Sequence, residues 1–453
     1  SIYLSMAINV SVSAISGKSA CLRTPSDATM RDFRLQAERE LQMAIKCFVS
    51  SNHTILDLSQ TVADAGVKDG ELLQAVCGTI SVWSNKMGGA FAVSRRNGSV
   101  FTWGLSMYGG DSRSVADHLR DVKDVCINEG ACAAIREDGT VVTWGDATDG
   151  GDCAPVSAQL HSIKQVKATR SAFAALRNDG QVITWGAGNF GGLGSVLQNE
   201  LRDVQKLHSS SVSFTAVLGN GGVLTWGDRY SGGLGPQQLQ KVGDVAQVAS
   251  TAAAFAAVTS EGKVRTWGDH LMGADSRSAE GKLRNVRLVE GTKGAFAALK
   301  EDGTVVTWGP AAFGGDSSAV AQQLHNICAV QASTCAFAAL REDRRVITWG
   351  DMAFGGDSSN VQDELRDVQS IVASHAAFAA LRSDGSVVTW GDEVYGGDSS
   401  EAQAELQEVI EIHANKAAFA ALRTDGAIIT WGDTAFKGDR SWINQELSQA
   451  DCP

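Results

Sequence analysis

A chain of 453 residues with 43% hydrophobic and 20% charged side chains is long enough for more than one domain and has an ordinary globular composition. Its formal net charge is −12 and it contains no basic run, so we expect neither nucleic acid nor an anionic membrane as a partner. No apolar run is long enough to cross a bilayer. Residues 1–15 lack the basic start and unbroken apolar core of a secretory signal peptide.

The cysteines indicate a reducing compartment. Their number, nine, is odd, their spacing is irregular, and no Cys-x-x-Cys pair occurs. This pattern is typical neither of a disulfide framework nor of a structural zinc site. We therefore expect the protein in the cytoplasm or the nucleus, without a bound metal ion.

The first segment of the chain predicts a hairpin, a helix and two further strands. Alternating apolar residues at 8–12 and a Ser-Gly-Lys turn at 16–18 predict the hairpin. Pro25-Ser26-Asp27 predicts a helix start, and apolar residues at helical spacing predict a helix over 29–45. The two remaining strands are expected over 47–49 and 72–76.

This order of elements is that of a small α+β domain with the β-grasp fold. The Ser-Gly-Lys turn, Pro25-Ser26-Asp27 before the helix and Asp69-Gly70 before the last strand make residues 1–77 resemble ubiquitin-like domains. The resemblance implies recognition like that of ubiquitin, and hence partners in the ubiquitin pathway. It does not imply conjugation, because Cys77-Gly78-Thr79 continues into the next segment in place of a free Gly-Gly tail.

A repeat fills the rest of the chain. Its marker is a Trp-Gly pair that recurs nine times at a constant step of 41 residues. A fixed period in this range marks units that bury their apolar faces against their neighbours. One tryptophan at a fixed place per unit predicts a structural wedge in the core or between units. The nine structural tryptophans are Trp103, Trp144, Trp185, Trp226, Trp267, Trp308, Trp349, Trp390 and Trp431.

Each unit predicts three strands and one short helical segment. In the clearest copy, strands are expected over 367–374, 378–381 and 387–390, with Asp384-Gly385 as the tight turn of a hairpin. A Ser-Ser pair before residues 361–365 predicts a helical turn or two.

Two units depart from this pattern. Cys132 stands where the other units have a phenylalanine in the second strand, and is interpreted as a small buried hydrophobe. Arg344 stands where the other units have the turn glycine, so that unit needs a different turn or a positive φ.

The repeat is similar to that of the RCC1 family, which includes the propeller domains of HERC-type ubiquitin ligases. The similarity rests on the strings Ala-Phe-Ala-Ala-Leu and Asp-Gly-x-Val-x-Thr-Trp-Gly, and on Gly-Gly-Leu-Gly at 191–194 and 232–235. It covers about residues 79–453 and implies a β-propeller, although family members have fewer and longer blades. We expect a mainly β, propeller-like ring of nine 41-residue RCC1-like repeats over residues 78–453, in preference to an open array.

No known catalytic constellation occurs in the sequence. The histidines occupy different places in their units and are expected at the surface. The aspartates of a recurring Gly-Gly-Asp are spread along the units, which predicts turn capping in preference to a cation site. We therefore expect no enzymatic activity and no cofactor.

Irregular positions in the loops after the Trp-Gly pair are the candidate partner-binding sites. A repeat scaffold presents such loops in register on one face, where partners typically bind. The candidates are Asp149, Asn189, Phe190, Arg229, Tyr230, His270, Met272, Phe354 and Tyr395.

These observations favour a non-enzymatic protein–protein interaction scaffold, which the two resemblances link to ubiquitin signalling. One alternative is the substrate-recognition part of a HERC-type E3 ubiquitin ligase, whose catalytic domain is absent from this sequence. Another is guanine nucleotide exchange on a small GTPase, the founding activity of the RCC1 family. That activity uses a wedge protruding from the blades, and the constant 41-residue step leaves no room for one.

Overall fold

The computed structural model describes residues 6–14, 18–41, 45, 47–52, 54–58, 60–76, 80–192, 200–233, 242 and 244–449. Several predicted features lie outside the described residues: part of the first hairpin turn, the expected helix end, the domain junction and the ends of both Gly-Gly-Leu-Gly strings, at 16–17, 42–44, 77–79, 193–194 and 234–235. All nine tryptophans and all nine candidate partner-binding residues lie within the described part.

The first domain is a four-stranded sheet with one helix packed on it. Its elements are β1 (Ala7–Ala14), β2 (Ser19–Pro25), α1 (Met30–Leu41), β3 (Cys47–Val49) and β4 (Leu72–Val76). The strand order is β2-β1-β4-β3, with β1 and β4 parallel and the other pairs antiparallel. The core joins alternate residues of the sheet, such as Val10 and Val12, to Phe33 and Leu41 of the helix. The predicted hairpin, helix and two strands are confirmed.

The helix start is displaced from the predicted cap. Thr29 Oγ1 accepts a hydrogen bond from the amide of Asp32 at 3.1 Å, while the Asp32 carboxylate accepts hydrogen bonds from the Thr29 amide at 3.3 Å and from its hydroxyl at 2.7 Å. This reciprocal capping satisfies free amides at the first turn and is a stronger start signal than Ser26 or Asp27.

Nine three-stranded antiparallel sheets follow, one for each repeat unit. The first three blades contain β5 (Val82–Ser84), β6 (Ala90–Ser94), β7 (Val100–Gly104), β8 (Val122–Ile127), β9 (Ala131–Arg136), β10 (Val141–Gly145), β11 (Ile163–Ala168), β12 (Ala172–Arg177) and β13 (Val182–Gly186). The next three contain β14 (Val204–Ser209), β15 (Ser213–Leu218), β16 (Val223–Gly227), β17 (Val245–Ser250), β18 (Ala254–Thr259), β19 (Val264–Gly268), β20 (Val286–Gly291), β21 (Phe296–Lys300) and β22 (Val305–Trp308). The last three contain β23 (Ile327–Ala332), β24 (Ala336–Arg341), β25 (Val346–Gly350), β26 (Val368–Ala373), β27 (Ala377–Arg382), β28 (Val387–Gly391), β29 (Val409–Ala414), β30 (Ala418–Arg423) and β31 (Ile428–Gly432).

Short helical turns connect the blades in place of a fourth strand. One set directly follows the third strands, at Ser106–Tyr108, Ala147–Asp149, Gly188–Phe190, His270–Met272, Ala311–Phe313, Met352–Phe354 and Glu393–Gly397, and as α2 (Thr434–Lys437). A second set leads to the next blade, at Arg113–His118, Ala154–Gln159, Glu280–Lys282, Ser318–Val320, Ser359–Val361 and Gln403–Glu405. In the last unit this second turn is a longer helix, α3 (Arg440–Gln449).

The nine blades close into a ring. The first strand of each blade contacts the first strand of the next, from β5 to β29, and β29 contacts β5 in turn. The amide of Lys416 in the last blade donates a hydrogen bond to the carbonyl of Gly88 in the first, at 3.0 Å. Helix α3 completes the closure, because Ile443 and Leu447 pack into one cluster with Val82 and Phe101 of the first blade. The fold is thus a mainly β propeller of nine blades, one for each 41-residue repeat, preceded by a small α+β domain.

An aromatic pair joins a blade to the one before it in every unit except the second, where Cys132 faces Trp144. In the eighth blade, Phe378 stacks on Trp390 with ring centroids 5.2 Å apart. The indole Nε1 of Trp390 donates to the carbonyl of Gly355 in the preceding unit at 3.1 Å. Both rings pack among small residues of the preceding blade, such as Ala338. The tryptophans therefore lie between blades, and seven of the nine combine apolar burial with a satisfied N–H; the indole nitrogens of Trp103 and Trp267 have no hydrogen-bond partner.

The chain direction defines two faces of the ring. The first strand of a blade ends, and the second begins, on the face that also carries the helical turns after the third strand; we call this the top face. The turns between second and third strands lie on the opposite face, which we call the bottom face. Antiparallel pairing of the three strands requires this arrangement in every blade.

Arg344 adopts the turn conformation of the glycine it replaces. Its φ is 63°, close to the 75° of Gly303 in the preceding unit, and both amides bond to the carbonyl three residues earlier. Of the two alternatives that the sequence left open, a different turn or a positive φ, the structure has the positive φ, at the steric cost that a Cβ meets in this region.

Replacing Arg344 with glycine is expected to raise the free energy of unfolding by about 0.5–1 kcal/mol, because glycine adopts a positive φ without that cost. Thermal and denaturant unfolding measure the change. The matched control is Gly303→Arg, which is expected to lower stability by a similar amount. A destabilised Arg344→Gly variant would contradict this explanation of the turn.

Candidate interaction surface

A belt of hairpin tips surrounds the axis on the top face. In the part of the chain that the structure describes, backbone hydrogen bonds run from tip to tip: Lys293 donates to Thr334 at 2.7 Å, Thr334 to His375 at 2.9 Å, and His375 to Lys416 at 3.1 Å. The bond from Lys416 to Gly88 closes the belt. The nine belt residues are Gly88, Glu129, Arg170, Ser211, Ala252, Lys293, Thr334, His375 and Lys416.

A second ring of residues surrounds the belt at the end of each helical turn. We call it the loop ring, and its members are Tyr108, Asp149, Phe190, Ser231, Met272, Phe313, Phe354, Tyr395 and Phe436. In seven units a buried polar residue just before the belt position anchors this ring: Ser333 Oγ donates to the carbonyl of Phe354 at 2.8 Å. The same bond is made by Asn128, Thr169, Thr251, Thr292, Ser374 and Asn415. The top face is therefore held by repeated, buried hydrogen bonds.

All nine residues predicted as partner-binding candidates lie on these top-face turns. Five of them occupy the loop ring itself: Asp149, Phe190, Met272, Phe354 and Tyr395. The other four, Asn189, Arg229, Tyr230 and His270, lie one or two positions earlier on the same turns. The structure brings them to one face of the ring, although not into a single pocket.

The outer tips of these turns expose large apolar side chains. The exposed fractions are 75% for Met107, 77% for Tyr230, 76% for Leu271, 71% for Met352 and 58% for Val394. We call these five residues, with Tyr108, the crown. Apolar side chains concentrated on one face are typical of an interaction surface, whereas single scattered ones are not. Reasoning from sequence did not single out Met107 or Val394, although each lies in register with Tyr230 at multiples of 41 residues.

Charged residues of the belt pair across the ring closure. The Glu129 carboxylate accepts hydrogen bonds from Arg170 Nε at 2.8 Å and from Lys416 Nζ at 3.2 Å. Burial alone raises the pKa of Glu129, but these two cations outweigh it and hold the pKa below its usual value. Glu129 thus bridges the last blade and the third.

The Glu129 bridge is expected to make closure sensitive to acid. A lowered pKa in the folded state means that the stabilisation is present at neutral pH and is lost as the pH falls through the folded pKa. Because Glu129 is partly exposed, its contribution is about 0.5–1 kcal/mol. Unfolding measured between pH 7 and pH 3 checks this: the stability gap between the parent protein and Glu129→Gln should close on acidification. A gap that does not change with pH would contradict it.

Three histidines lie nearer the axis than expected. His208 and His413 are on first strands, and burial lowers the pKa of both, to about 4 for His208. His375 lies in the belt, where its Nδ1 is 2.9 Å from Thr334 Oγ1 and its ring is between those of Phe354 and Tyr395. The expectation of surface histidines is wrong for these three, because the first strands that carry His208 and His413 line the ring interior, and His375 is packed between two aromatic rings.

One lysine crosses the centre of the ring. Lys86 Nζ, from the first blade, donates to the carbonyl of Ala332 in the seventh at 2.9 Å. Burial lowers the pKa of Lys86 and raises that of Glu290, whose carboxylate from the sixth blade attracts the ammonium. The interior is therefore occupied by side chains that connect distant blades.

No cluster of three or more histidine, cysteine, aspartate or glutamate side chains suited to a metal ion occurs within the described ranges. The Gly-Gly-Asp aspartates cap turns instead, as when Asp357 accepts from the amide of Ser359 at 2.9 Å. Cys132 is fully buried, and burial raises the pKa of its thiol far above the usual range. Among the helices that the structure describes, none is both long and apolar enough to cross a membrane.

The first domain docks on the bottom face through a buried ion pair. Arg34 of α1 donates to Asp121 Oδ1 at 2.7 Å, and Arg31 lies 3.1 Å from the other carboxylate oxygen. The side chains of Arg34 and Asp121 are 4% and 7% exposed. Asp121 directly precedes the first strand of the second blade. It lies beside Gly98, which belongs to the turn between the second and third strands of the first blade. The domain and the crown are thus on opposite faces of the ring.

Comparison with known proteins gives structural likenesses of low score. No protein-family model matches the chain, and no curated protein matches it. The chain is similar to the receptor kinase CR4 ectodomain of Physcomitrella patens, with 16% identity over 60% of this chain and 74% of that one and a TM-score of 0.41. It is also similar to Prp20p of Saccharomyces cerevisiae, with 16% identity over 65% of this chain and 87% of that one and a TM-score of 0.36. A third similarity, to the UBL domain of Plasmodium falciparum Dsk2, has 22% identity over 16% of this chain and 100% of that one and a TM-score of 0.14. At these scores the likenesses carry no argument about function, and the propeller assignment rests on the nine blades and their closure.

Proposed function

We propose that this protein is a non-enzymatic scaffold that binds a protein partner through the crown of its top face. The observation that carries the proposal is the concentration of exposed methionine, tyrosine and leucine side chains on turns that buried hydrogen bonds hold in place. A rigid surface loses little conformational entropy on binding, so its apolar contacts contribute to affinity almost in full. Aromatic residues and methionine are also the side chains that interfaces favour.

We further propose that residues 1–77 are a ubiquitin-like domain that makes a second contact, and that residues 78–453 are the propeller. The helix of the first domain, α1, faces the ring through Arg31 and Arg34. The sheet of that domain is therefore turned outward, and Leu72 on it is 54% exposed. Ile55 nearby is 69% exposed. The arrangement supports a bipartite scaffold with one partner on each face of the ring, and a link to ubiquitin-pathway proteins would come through this domain.

Affinity capture with chemical crosslinking tests the crown. The triple variant Tyr230→Ser, Leu271→Ser, Met352→Ser removes exposed side chains, so the fold should be kept and thermal unfolding unchanged. We expect the parent protein to crosslink to a defined partner through the top-face turns, and the triple variant to lose at least nine-tenths of that product. The control is Ile410→Ser, which alters an exposed apolar residue on a first strand. Equal crosslinking by the triple variant would contradict a crown-mediated function.

The two alternatives are separated by other measurements. A nucleotide-release assay on small GTPases tests exchange activity, and we expect no acceleration. A ubiquitin-transfer assay with a supplied HERC-type catalytic domain tests the ligase alternative. The ligase alternative would be favoured if the parent protein supported ubiquitin transfer to its crosslinked partner and the crown triple variant did not.

A further inference from the structure

A small cavity opens on the top face where the ring closes. It has a volume of about 200 Å³ and lies between the last, first and second blades. Its walls include Tyr108, Glu129, Asp149, Lys416 and Phe436. This volume is below the roughly 300–1,000 Å³ of sites for whole small molecules, and it suits one inserted side chain.

Two departures from the repeat meet at this seam pocket. Gly88 is the belt residue here, and Gly89 after it lines the pocket, where an added Cβ would lie 2.9 Å from the Tyr108 Cβ. Asp149 occupies the loop ring, where the other units have aromatic residues, methionine or serine. Equivalent belt hydrogen bonds form between other blades without a glycine or an aspartate at these positions, as from Lys293 to Thr334.

One of the two carboxylates in the pocket is not held in a salt bridge. Glu129 is already neutralised by Arg170 and Lys416. Among the described residues no cation is in salt-bridge contact with Asp149, although Ser171 donates a hydrogen bond to its carboxylate and the Arg170 charge acts on it; burial, with the nearby carboxylates of Asp146 and Glu129, outweighs both and raises the pKa of Asp149. A half-buried carboxylate under these conditions gains free energy when a cation arrives.

We propose that the seam pocket binds the cationic side chain, arginine or lysine, of the protein partner. The Asp149 carboxylate pairs with the cation, while Tyr108 and Phe436 offer aromatic faces to it. The net charge of −12 attracts a basic segment toward this site. The inference rests on the proposed function, because it assigns the chemistry of the partner that the crown binds.

Ligand-observed NMR on the full chain tests the pocket with defined probes. The probes are N-acetyl-arginine methylamide, its lysine counterpart, and the uncharged citrulline counterpart. We expect millimolar binding of the two cations, no detectable binding of the citrulline probe, and at least fivefold weaker binding of the cations to Asp149→Asn. Tyr108→Leu should weaken the arginine probe more than the lysine probe. Asp363→Asn, which neutralises an exposed carboxylate on a blade away from the seam, is the control and should bind as the parent does.

Binding of the citrulline probe equal to that of arginine would overturn the inference, as would unchanged binding to Asp149→Asn. Neither result would bear on the crosslinking experiment with the crown variants. If the crown variant loses the partner and the probes do not bind to the parent protein, only the proposal of the seam pocket is overturned.

Discussion

Replacing Trp308 with alanine is expected to lower the free energy of unfolding by about 3–5 kcal/mol. Trp308 is 1% exposed, its ring stacks on Phe296 with centroids 5.2 Å apart, and its Nε1 donates to the carbonyl of Gly273 at 2.9 Å. Truncation leaves a cavity between the fifth and sixth blades and strands that carbonyl without its donor. Because the ring is continuous, a gap at one joint weakens the closure of all the others.

Denaturant unfolding followed by intrinsic fluorescence and by hydrogen exchange measures this effect. The control is Trp442→Ala on α3, a tryptophan that is 37% exposed and touches Phe101 only by an edge. We expect the control to cost about 1 kcal/mol or less. Similar losses for the two variants would show that the indole between the blades has no special part in stability.

A second comparison isolates the indole hydrogen bond. Trp267 is buried like Trp308, but its Nε1 has no hydrogen-bond partner in the structure. Trp308→Phe should therefore lower the free energy of unfolding by about 1 kcal/mol more than Trp267→Phe does.

Replacing Asp121 with asparagine is expected to release the first domain from the ring. The change leaves Arg34 buried without an anion, and breaking a buried ion pair in this way costs about 3–5 kcal/mol. The domain has a hydrophobic core of its own, around Phe33 and Phe48, so undocking should not unfold it. Faster exchange of α1 amides and an enlarged radius of gyration, with the blades unchanged, are the expected results.

Asp203→Asn is the matched control for that variant. Asp203 holds the position of Asp121 two units later, with a φ of 57° against 53°, and it does not contact the first domain. Asparagine occupies the same position at Asn285 and Asn326, so the backbone tolerates the change. If Asp203→Asn altered α1 exchange as much as Asp121→Asn does, the ion pair would not be the docking contact.

The sequence predicts the blades better than their assembly. The turn glycines, the paired strands and the tryptophan register follow from local patterns, and Arg344 could be identified as a positive-φ site because the pattern around it is complete. Closure depends on the small rotation between successive blades, which accumulates from packing between Phe-Trp pairs and alanines and has no signature in the period. The closing contacts of Ile443 and Leu447 arise only because the last unit replaces a short turn with α3.

The candidate interaction surface is predictable in part, because it too follows from local patterns of the repeat. Irregular loop positions pointed to the turns that carry the crown, since departures from a repeat are easy to see. The belt was missed because its nine positions carry mostly different side chains, from Gly88 to Lys416, and so give no periodic signal. The residue before each belt position is asparagine, serine or threonine in all units but the first, and that regularity was the available clue.

Hydrogen exchange at two belt amides tests the closed ring most directly. The Lys416 amide bonds across the closure to Gly88, and the Lys293 amide makes the equivalent bond to Thr334 within the array. A closed ring with a continuous top face predicts similar protection for both amides under native conditions. Rapid exchange at Lys416 beside slow exchange at Lys293 would mean that the first and last blades separate, and that neither a continuous crown nor a seam pocket exists.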